Sequence, residues 1–301
     1  MLGAAGPAVW PFAAAGRARA DRNDDEAIHR KNIPGTGVSL PTIGMGTYIT
    51  FNVGPSAAER EPLAEVLRIF FERGGGMIDS SPMYGQAEAV LGDLLTEMDS
   101  TDGLFSATKV WTRSTSTGVE QIDDSLELWD IPRFDLMQVH NLVNWQAHLE
   151  TMRARRDAGE IRYLGITTSH GRRLDECERI MRNEPLDFVQ LTYNVVDRWA
   201  EDTLLPLARE RGIAVIANRP FQGGRLFDRF ADAPLPDWAS GMGINNWAQF
   251  FLKFIVSHPA VTCAIPATSR PEHMRENMGA LSGPIPDAAT RKAMIDYLDT
   301  L

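Results

Sequence analysis

From Ile33 onward the chain alternates short apolar runs with amphipathic segments, the pattern of repeated strand–helix units. Leu63, Val66, Leu67 and Phe70 recur at helical spacing, which predicts a helix over 62–73 that the glycines at 74–76 terminate. Val119, Ile122, Leu126 and Trp129 form a second stripe of this kind, and 288–298 reads as a closing helix. Between the helices lie apolar, proline-free runs at 77–78, 104–108, 134–139, 163–166, 188–191, 213–217 and 261–265, the composition of strands buried on both faces. The alternation continues without a linker, so a single domain is expected over 29–301. The longest irregular stretch, 221–243, carries Gly, Pro, Asp and aromatic residues and is expected to serve an active site.

Polar residues recur just past the ends of these strands: Asp79, Lys109, His140, Thr167, Gln190 and Asn218. A doubly wound sheet would also gather such residues, but it usually carries Gly-x-Gly-x-x-Gly after its first strand. Gly44 and Gly46 begin that pattern, and Ile49 stands where the third glycine belongs. A (β/α)8 TIM barrel, which collects its active site from strand ends, fits better. An N-terminal hairpin and a C-terminal helix complete the expected fold.

Composition narrows the partners. A chain of 301 residues with 44% apolar content can build one barrel, which takes about 250 residues. The net charge is −10 and the basic residues are scattered, which argues against nucleic acid and against an anionic membrane surface. No apolar run reaches the roughly 18 residues of a membrane span. Cys177 and Cys263 lie far apart and read as two buried thiols. Residues 1–20 are Ala/Gly-rich, with Ala18-Arg19-Ala20 preceding Asp21; the segment 1–28 reads either as the end of an export leader or as a disordered tail. The compartment follows from that choice: periplasmic with a leader, cytoplasmic without one. Nothing calls for an obligate assembly, so a monomer suffices.

Reducing a carbonyl requires a hydride on carbon and a proton on oxygen; a cofactor supplies the first and the protein the second. A phenol is a weak donor with a pKa of about 10, which a neighbouring ammonium lowers. A carboxylate keeps that ammonium charged, and a histidine can hydrogen-bond the substrate oxygen. The chain holds such a set: Asp79 and Tyr84 in IDSSPMYG, Lys109 in ATKVW and His140 in LMQVHN. Each alone could be structural; all four types in order on successive strand ends point to catalysis. IDSSPMYG resembles the Asp-x-x-x-x-Tyr motif of the aldo-keto reductase superfamily, and TKVW and the His after the fourth strand resemble its lysine and histidine stretches. IPGTGVSLPTIGMGTY, GEIRYLGIT and IPATSRPEHMREN extend the resemblance from Ile33 to Asn277. The resemblance implies Tyr84 as general acid, Lys109 and Asp79 as its tuning pair and His140 as carbonyl orienter.

It also implies a nicotinamide cofactor, with NADP(H) favoured over NAD(H). Its implied contacts are Gly46 and Thr47, then Thr167 and Thr168 in place of the family's Ser-Asn pair, and Gln190 in FVQLTYN. Thr168 lacks the paired donor and acceptor of an amide. Asn218 and Arg219 stand where many members stack an aromatic, and the guanidinium plane of Arg219 can stack in its place. Thr268, Arg270 and Asn277 match the segment that grips the adenosine end, where Ala267 and His273 replace frequent basic residues. Tyr48 and Trp111 are expected to wall the pocket of a small carbonyl substrate. The alternatives are a non-catalytic nucleotide-binding barrel acting as sensor or partner subunit, and a barrel lyase or isomerase without the nucleotide.

Overall fold

The computed structural model describes residues 27–301, so the leader or tail expected at 1–28 lies, but for its last two residues, outside the described residues. An antiparallel hairpin of β1 (Arg30–Asn32) and β2 (Ser39–Pro41) comes first. Eight parallel strands follow: β3 (Met45–Gly46), β4 (Met77–Asp79), β5 (Phe105–Val110), β6 (Phe134–Val139), β7 (Ile161–Thr167), β8 (Phe188–Thr192), β9 (Ala214–Asn218) and β10 (Val261–Ala264). Each strand pairs with the one before it. Parallel bridges from Ile43 to Ala264 and from Gly46 to Ala267 join first strand to last and close the barrel.

One helix follows each of the first six barrel strands: α1 (Ala57–Glu72), α2 (Ala87–Thr96), α3 (Thr115–Trp129), α4 (Trp145–Asp157), α5 (Leu174–Asn183) and α6 (Leu204–Arg211). Between β9 and β10 lie α7 (Arg225–Arg229) and α8 (Trp247–Ser257); α9 (Pro271–Met278) and α10 (Ala288–Leu298) end the chain. The stretch at 221–243 is therefore partly helical rather than irregular throughout. The helix expected at 62–73 begins at Ala57, with Pro62 inside it. Burial of Leu63, Val66, Leu67, Ile69 and Phe70 against the barrel offsets the one backbone bond that Pro62 cannot make.

The apolar residues form two layers. Alternate residues of the strands (Met77, Phe105, Ala107, Leu136, Tyr163, Phe188, Ala214, Ile216 and Cys263) meet Ile33 and Leu40 of the hairpin segment in an inner cluster. The other parity faces the helices in a larger cluster. Because side chains alternate along a strand, the next inward positions are Asp79, Lys109, Gln138, Thr167, Gln190 and Asn218. The barrel interior is thus apolar at the hairpin end and polar at the opposite, C-terminal end of the strands, where barrels of this kind keep their sites. Asp79, Thr167 and Asn218 are the last residues of their strands, Lys109 and Gln190 lie within theirs, and only His140 lies beyond one. They were expected past the strand ends; the pleat carries all but His140 inward instead, and there Asp79 pairs with Lys109 and Gln190.

The hairpin is fastened to the barrel floor by Lys31, whose Nζ donates to the carbonyls of Val256, His258 and Val261 at 2.7, 2.8 and 2.6 Å. Both cysteines are buried and free. Among the described residues no helix is long and apolar enough to cross a membrane, and no group of His, Cys, Asp and Glu could hold a metal.

Candidate active site

At the polar end of the barrel opens a cavity of about 610 Å³, lined by residues from the loops after β3, β4, β6, β7, β9 and β10. Asp79 closes its floor. Its Oδ2 receives Lys109 Nζ at 2.5 Å, and its Oδ1 receives the amide nitrogens of Gln138 and Gln190 at 2.9 and 3.0 Å. Lys109 Nζ also donates to the Ser80 carbonyl at 2.6 Å. Gly165, the register partner of Gln138, makes this network possible: a Cβ there would lie 3.0 Å from the Phe188 carbonyl oxygen and 3.2 Å from Gln138 Cγ. The pair of Asp79 and Lys109 is withdrawn from solvent, and full hydrogen bonding is what makes such burial tolerable.

Tyr84 reaches this pair from the short turn Pro82–Tyr84, which Ser81 caps by accepting the Met83 N–H at 3.2 Å. Lys109 Nζ lies 5.0 Å from the centre of the Tyr84 ring. Burial raises the Tyr84 pKa more than Lys109 lowers it, so the phenol sits above its ordinary value; the ammonium moderates the rise and does not reverse it, contrary to the lowering expected from sequence. For Lys109 burial disfavours charge, and Asp79 with Tyr84 outweighs it and holds the ammonium pKa above its usual value. His140 packs edge-on to Tyr84, ring centres 5.8 Å apart, with Nδ1 2.9 Å from Ser81 Oγ. Burial, then the nearby Lys109 charge, pushes its pKa down to about 2, so the ring is neutral. Tyr48 lies across Tyr84, ring centres 5.0 Å apart, and lines the cavity.

The expected cofactor contacts divide. Gly46, Thr47, Thr167, Gln190, Asn218 and Arg219 line the cavity. Thr47 donates to Ser80 Oγ at 2.8 Å, and Thr167 Oγ1 accepts the Asn141 N–H at 2.9 Å. Gln190 and Asn218 lend their amides to the floor: Asn218 Nδ2 donates to the Thr168 carbonyl at 3.0 Å, and its Oδ1 accepts the Thr192 hydroxyl at 2.7 Å. Thr168 does not line the cavity, because its hydroxyl turns to the Arg172 carbonyl. Near β10, Thr268 Oγ1 accepts the Arg270 N–H at 3.1 Å, Arg270 is turned to Glu272 at 2.5 Å, and Asn277 is buried in α9; none of the three lines the cavity. Ala267 and His273, the two replaced positions, do line it. Trp111 is exposed beyond β5, outside the lining set.

Sequence reasoning passed over Ser81, Gln138, Asn141, Ser169 and Arg172. Two-residue alternation could have found the first two, since Ser81 continues the parity of Asp79 and Gln138 precedes His140 by two. His170 also lines the cavity and holds its Nδ1 3.0 Å from Ser169 Oγ. From the 221–243 stretch, Phe221, Gly223, Gly224 and Phe227 complete the wall.

The residues present fit a dinucleotide. Arg172, Arg219, His170 and His273 gather at the cavity on a chain of net charge −10, and neither arginine has an ion-pair partner among the described residues. Phosphates suit such a set.

Known proteins match this chain along most of its length. The model of the Aldo/keto reductase family matches residues 42–294. Aldo-keto reductase YhdN of Bacillus subtilis (strain 168) is 28% identical over 200 residues, 62% of this chain and 60% of that protein, so the match spans under two thirds of that relative. Methylglyoxal reductase YeaE of Escherichia coli (strain K12) is 28% identical over 269 residues, 86% of this chain and 91% of that protein. The crystal structure of an aldo/keto reductase from Klebsiella pneumoniae in complex with NADP and acetate superposes with a TM-score of 0.73 at 25% identity, covering 86% of this chain and 92% of that one.

Proposed function

The chain belongs to the aldo/keto reductase family, and from that premise we propose that it reduces small aldehydes and ketones at the Tyr84 cavity, with NADP(H) preferred over NAD(H). The coarser statement is plain: it is an NAD(P)-dependent oxidoreductase of carbonyl compounds. The observation that carries the finer reading is the convergence of Tyr84, Asp79 and His140 on one cavity, with Lys109 buried behind them against Asp79 and the Tyr84 ring.

The bound nicotinamide supplies the hydride; the protein's part is the proton and the placement of the carbonyl. Tyr84, kept protonated by burial, donates to the carbonyl oxygen as negative charge develops there. Lys109 stabilises the phenolate left behind, and Asp79 keeps Lys109 charged and in place. Gln138 and Gln190 saturate the second oxygen of Asp79, so the carboxylate cannot turn away from the lysine. Neutral His140, packed edge-on to Tyr84, is placed to hydrogen-bond the same substrate oxygen as the phenol. Tyr48, Met83 and Phe227 give the cavity an apolar wall suited to a small organic carbonyl. The preference for NADP(H) rests on the unpaired Arg172 and Arg219 with His273 at the cavity, and on the NADP complex of the Klebsiella pneumoniae relative. Arg270 takes no part in that argument, because Glu272 occupies it.

Titration of the full chain with NADPH and NADH, followed by turnover on methylglyoxal and on a panel of aliphatic and aromatic aldehydes, tests the reading. The Tyr84→Phe variant should lose about 10²–10⁴-fold in kcat and keep its NADPH affinity within about twofold. Comparable turnover in that variant would refute the assignment; tight nucleotide binding with no turnover by the unaltered protein would favour the non-catalytic barrel.

A further inference from the structure

The hydrogen bonds around Ser81 reveal more than a cap on the turn that carries Tyr84. Ser81 is fully buried, and its Oγ has two polar neighbours among the described residues: the Met83 N–H at 3.2 Å and His140 Nδ1 at 2.9 Å. A backbone N–H only donates, so Ser81 Oγ accepts from Met83. The hydroxyl's own hydrogen, cut off from water, then needs an acceptor, and Nδ1 is the one within reach. Nδ1 therefore accepts, and the single proton of the neutral ring sits on Nε2.

We propose that Ser81 is a positioning residue that locks His140 in the Nε2–H tautomer, so that the imidazole donates to the substrate oxygen rather than opposing it with a lone pair. His140 lines the cavity and its ring stands edge-on to Tyr84 at an interplanar angle of 87°. Nε2 makes no hydrogen bond to the protein among the described residues, which leaves it for the ligand. A neutral imidazole has two tautomers, and without a partner on Nδ1 both are populated; one presents a donor to the carbonyl and the other presents a repulsive nitrogen. The Ser81 hydroxyl resolves that choice and, in the same step, ties the His140 ring to the turn that holds Tyr84, so both donors to the substrate oxygen are registered through one atom. The inference rests on the reductase reading for its catalytic consequence, while the tautomer itself is a property of the protein alone.

The test is nitrogen NMR on the full chain labelled with ¹⁵N-histidine, with the His140 signals identified by their loss in His140→Gln. The expected spectrum shows one ring with a protonated Nε2 and an unprotonated Nδ1, unchanged from pH 5 to 9. In Ser81→Ala the two tautomers should mix, kcat should fall by about 10–100-fold, and the carbonyl KM and the NADPH Kd should stay within about threefold. Ser81→Thr, which keeps the hydroxyl, should restore both the single tautomer and the turnover. A protonated Nδ1 in the unaltered protein would overturn the proposal whether or not Ser81→Ala folds. So would an unchanged tautomer in Ser81→Ala, even with reduced kcat, since Ser81 would then act by packing alone. A protein with the expected tautomer but no turnover on any carbonyl would overturn the reductase reading and leave the tautomer assignment standing.

Discussion

Lys109 and Asp79 meet at 2.5 Å beneath the active-site cavity with both side chains withdrawn from solvent. A buried ion pair adds little net stability over apolar residues, but removing one partner strands the other charge. Asp79→Asn should therefore lower stability by ~3–5 kcal/mol. At about 2 °C per kcal/mol for a large domain, calorimetry should record a Tm lower by roughly 6–10 °C. A variant that melts with the parent protein would show that Lys109 finds another counter-charge or sheds its proton without cost.

The proton-donor assignment sets a pH profile. Reduction needs Tyr84 protonated, and burial holds its pKa above the ordinary phenol value of about 10. Reductive kcat should thus stay level from pH 5 to 9 and fall only at higher pH, while alcohol oxidation, which needs the phenolate, should rise there. The neutral His140, with a pKa near about 2, contributes no break in that window. In Lys109→Met the downward pull on the phenol is lost, so the alkaline limb should move to higher pH in whatever activity remains. A break between pH 6 and 7 would assign the proton to a histidine instead.

Much of this was legible before any coordinates because the barrel repeats one rule. Alternation of apolar runs and helical stripes marked seven of the eight barrel strands within a residue or two, missing only the two-residue β3, and the residues that carry the acid–base chemistry stood where those runs ended. Gln138 escaped notice because an amide inside an apolar strand reads as an isolated exception unless the alternation is followed back from His140; in the fold it sits beside Gly165 of the neighbouring strand, which leaves it room. Thr168 and Trp111 lie outside the cavity lining for a different reason. Their positions along the chain are right, but one hydroxyl turns to the Arg172 carbonyl and one ring stands out in solvent, choices that loop geometry makes and periodicity does not encode. Arg270 was expected at the adenosine end of the cofactor, and its guanidinium is turned to Glu272, two residues on.

Arg219 separates stability from ligand binding. It lines the cavity at φ 52°, a left-handed backbone that costs a non-glycine residue about 1–2 kcal/mol. Burial and Arg225 hold its guanidinium pKa below the usual value, yet it remains charged at neutral pH. Arg219→Gly should raise stability by about 0.5–1 kcal/mol, after the entropy of the new glycine is deducted, and weaken NADPH binding with a shallower salt dependence. Unfolding and nucleotide titration at two ionic strengths check both signs; equal affinity in the variant would remove Arg219 from the cofactor site.

Gly85 follows Tyr84 at φ 65°, and a Cβ there would lie 2.4 Å from Asn52 Oδ1, the atom that accepts the Gln86 N–H at 2.9 Å. Gly85→Ala thus combines left-handed strain with a contact that forces Asn52 aside and frees the Gln86 amide, at a joint cost of about 2–4 kcal/mol. The displaced segment is the one that aims the phenol at Lys109, and a misplacement of about 1 Å costs up to roughly 10²-fold in rate. Lower Tm together with reduced kcat at unchanged NADPH affinity is the expected outcome, because the segment moved is Tyr84's own and not the cofactor loops. Loss of stability with full kcat would mean that Tyr84 is held by Lys109 and His140 alone, independently of the turn on which it is built.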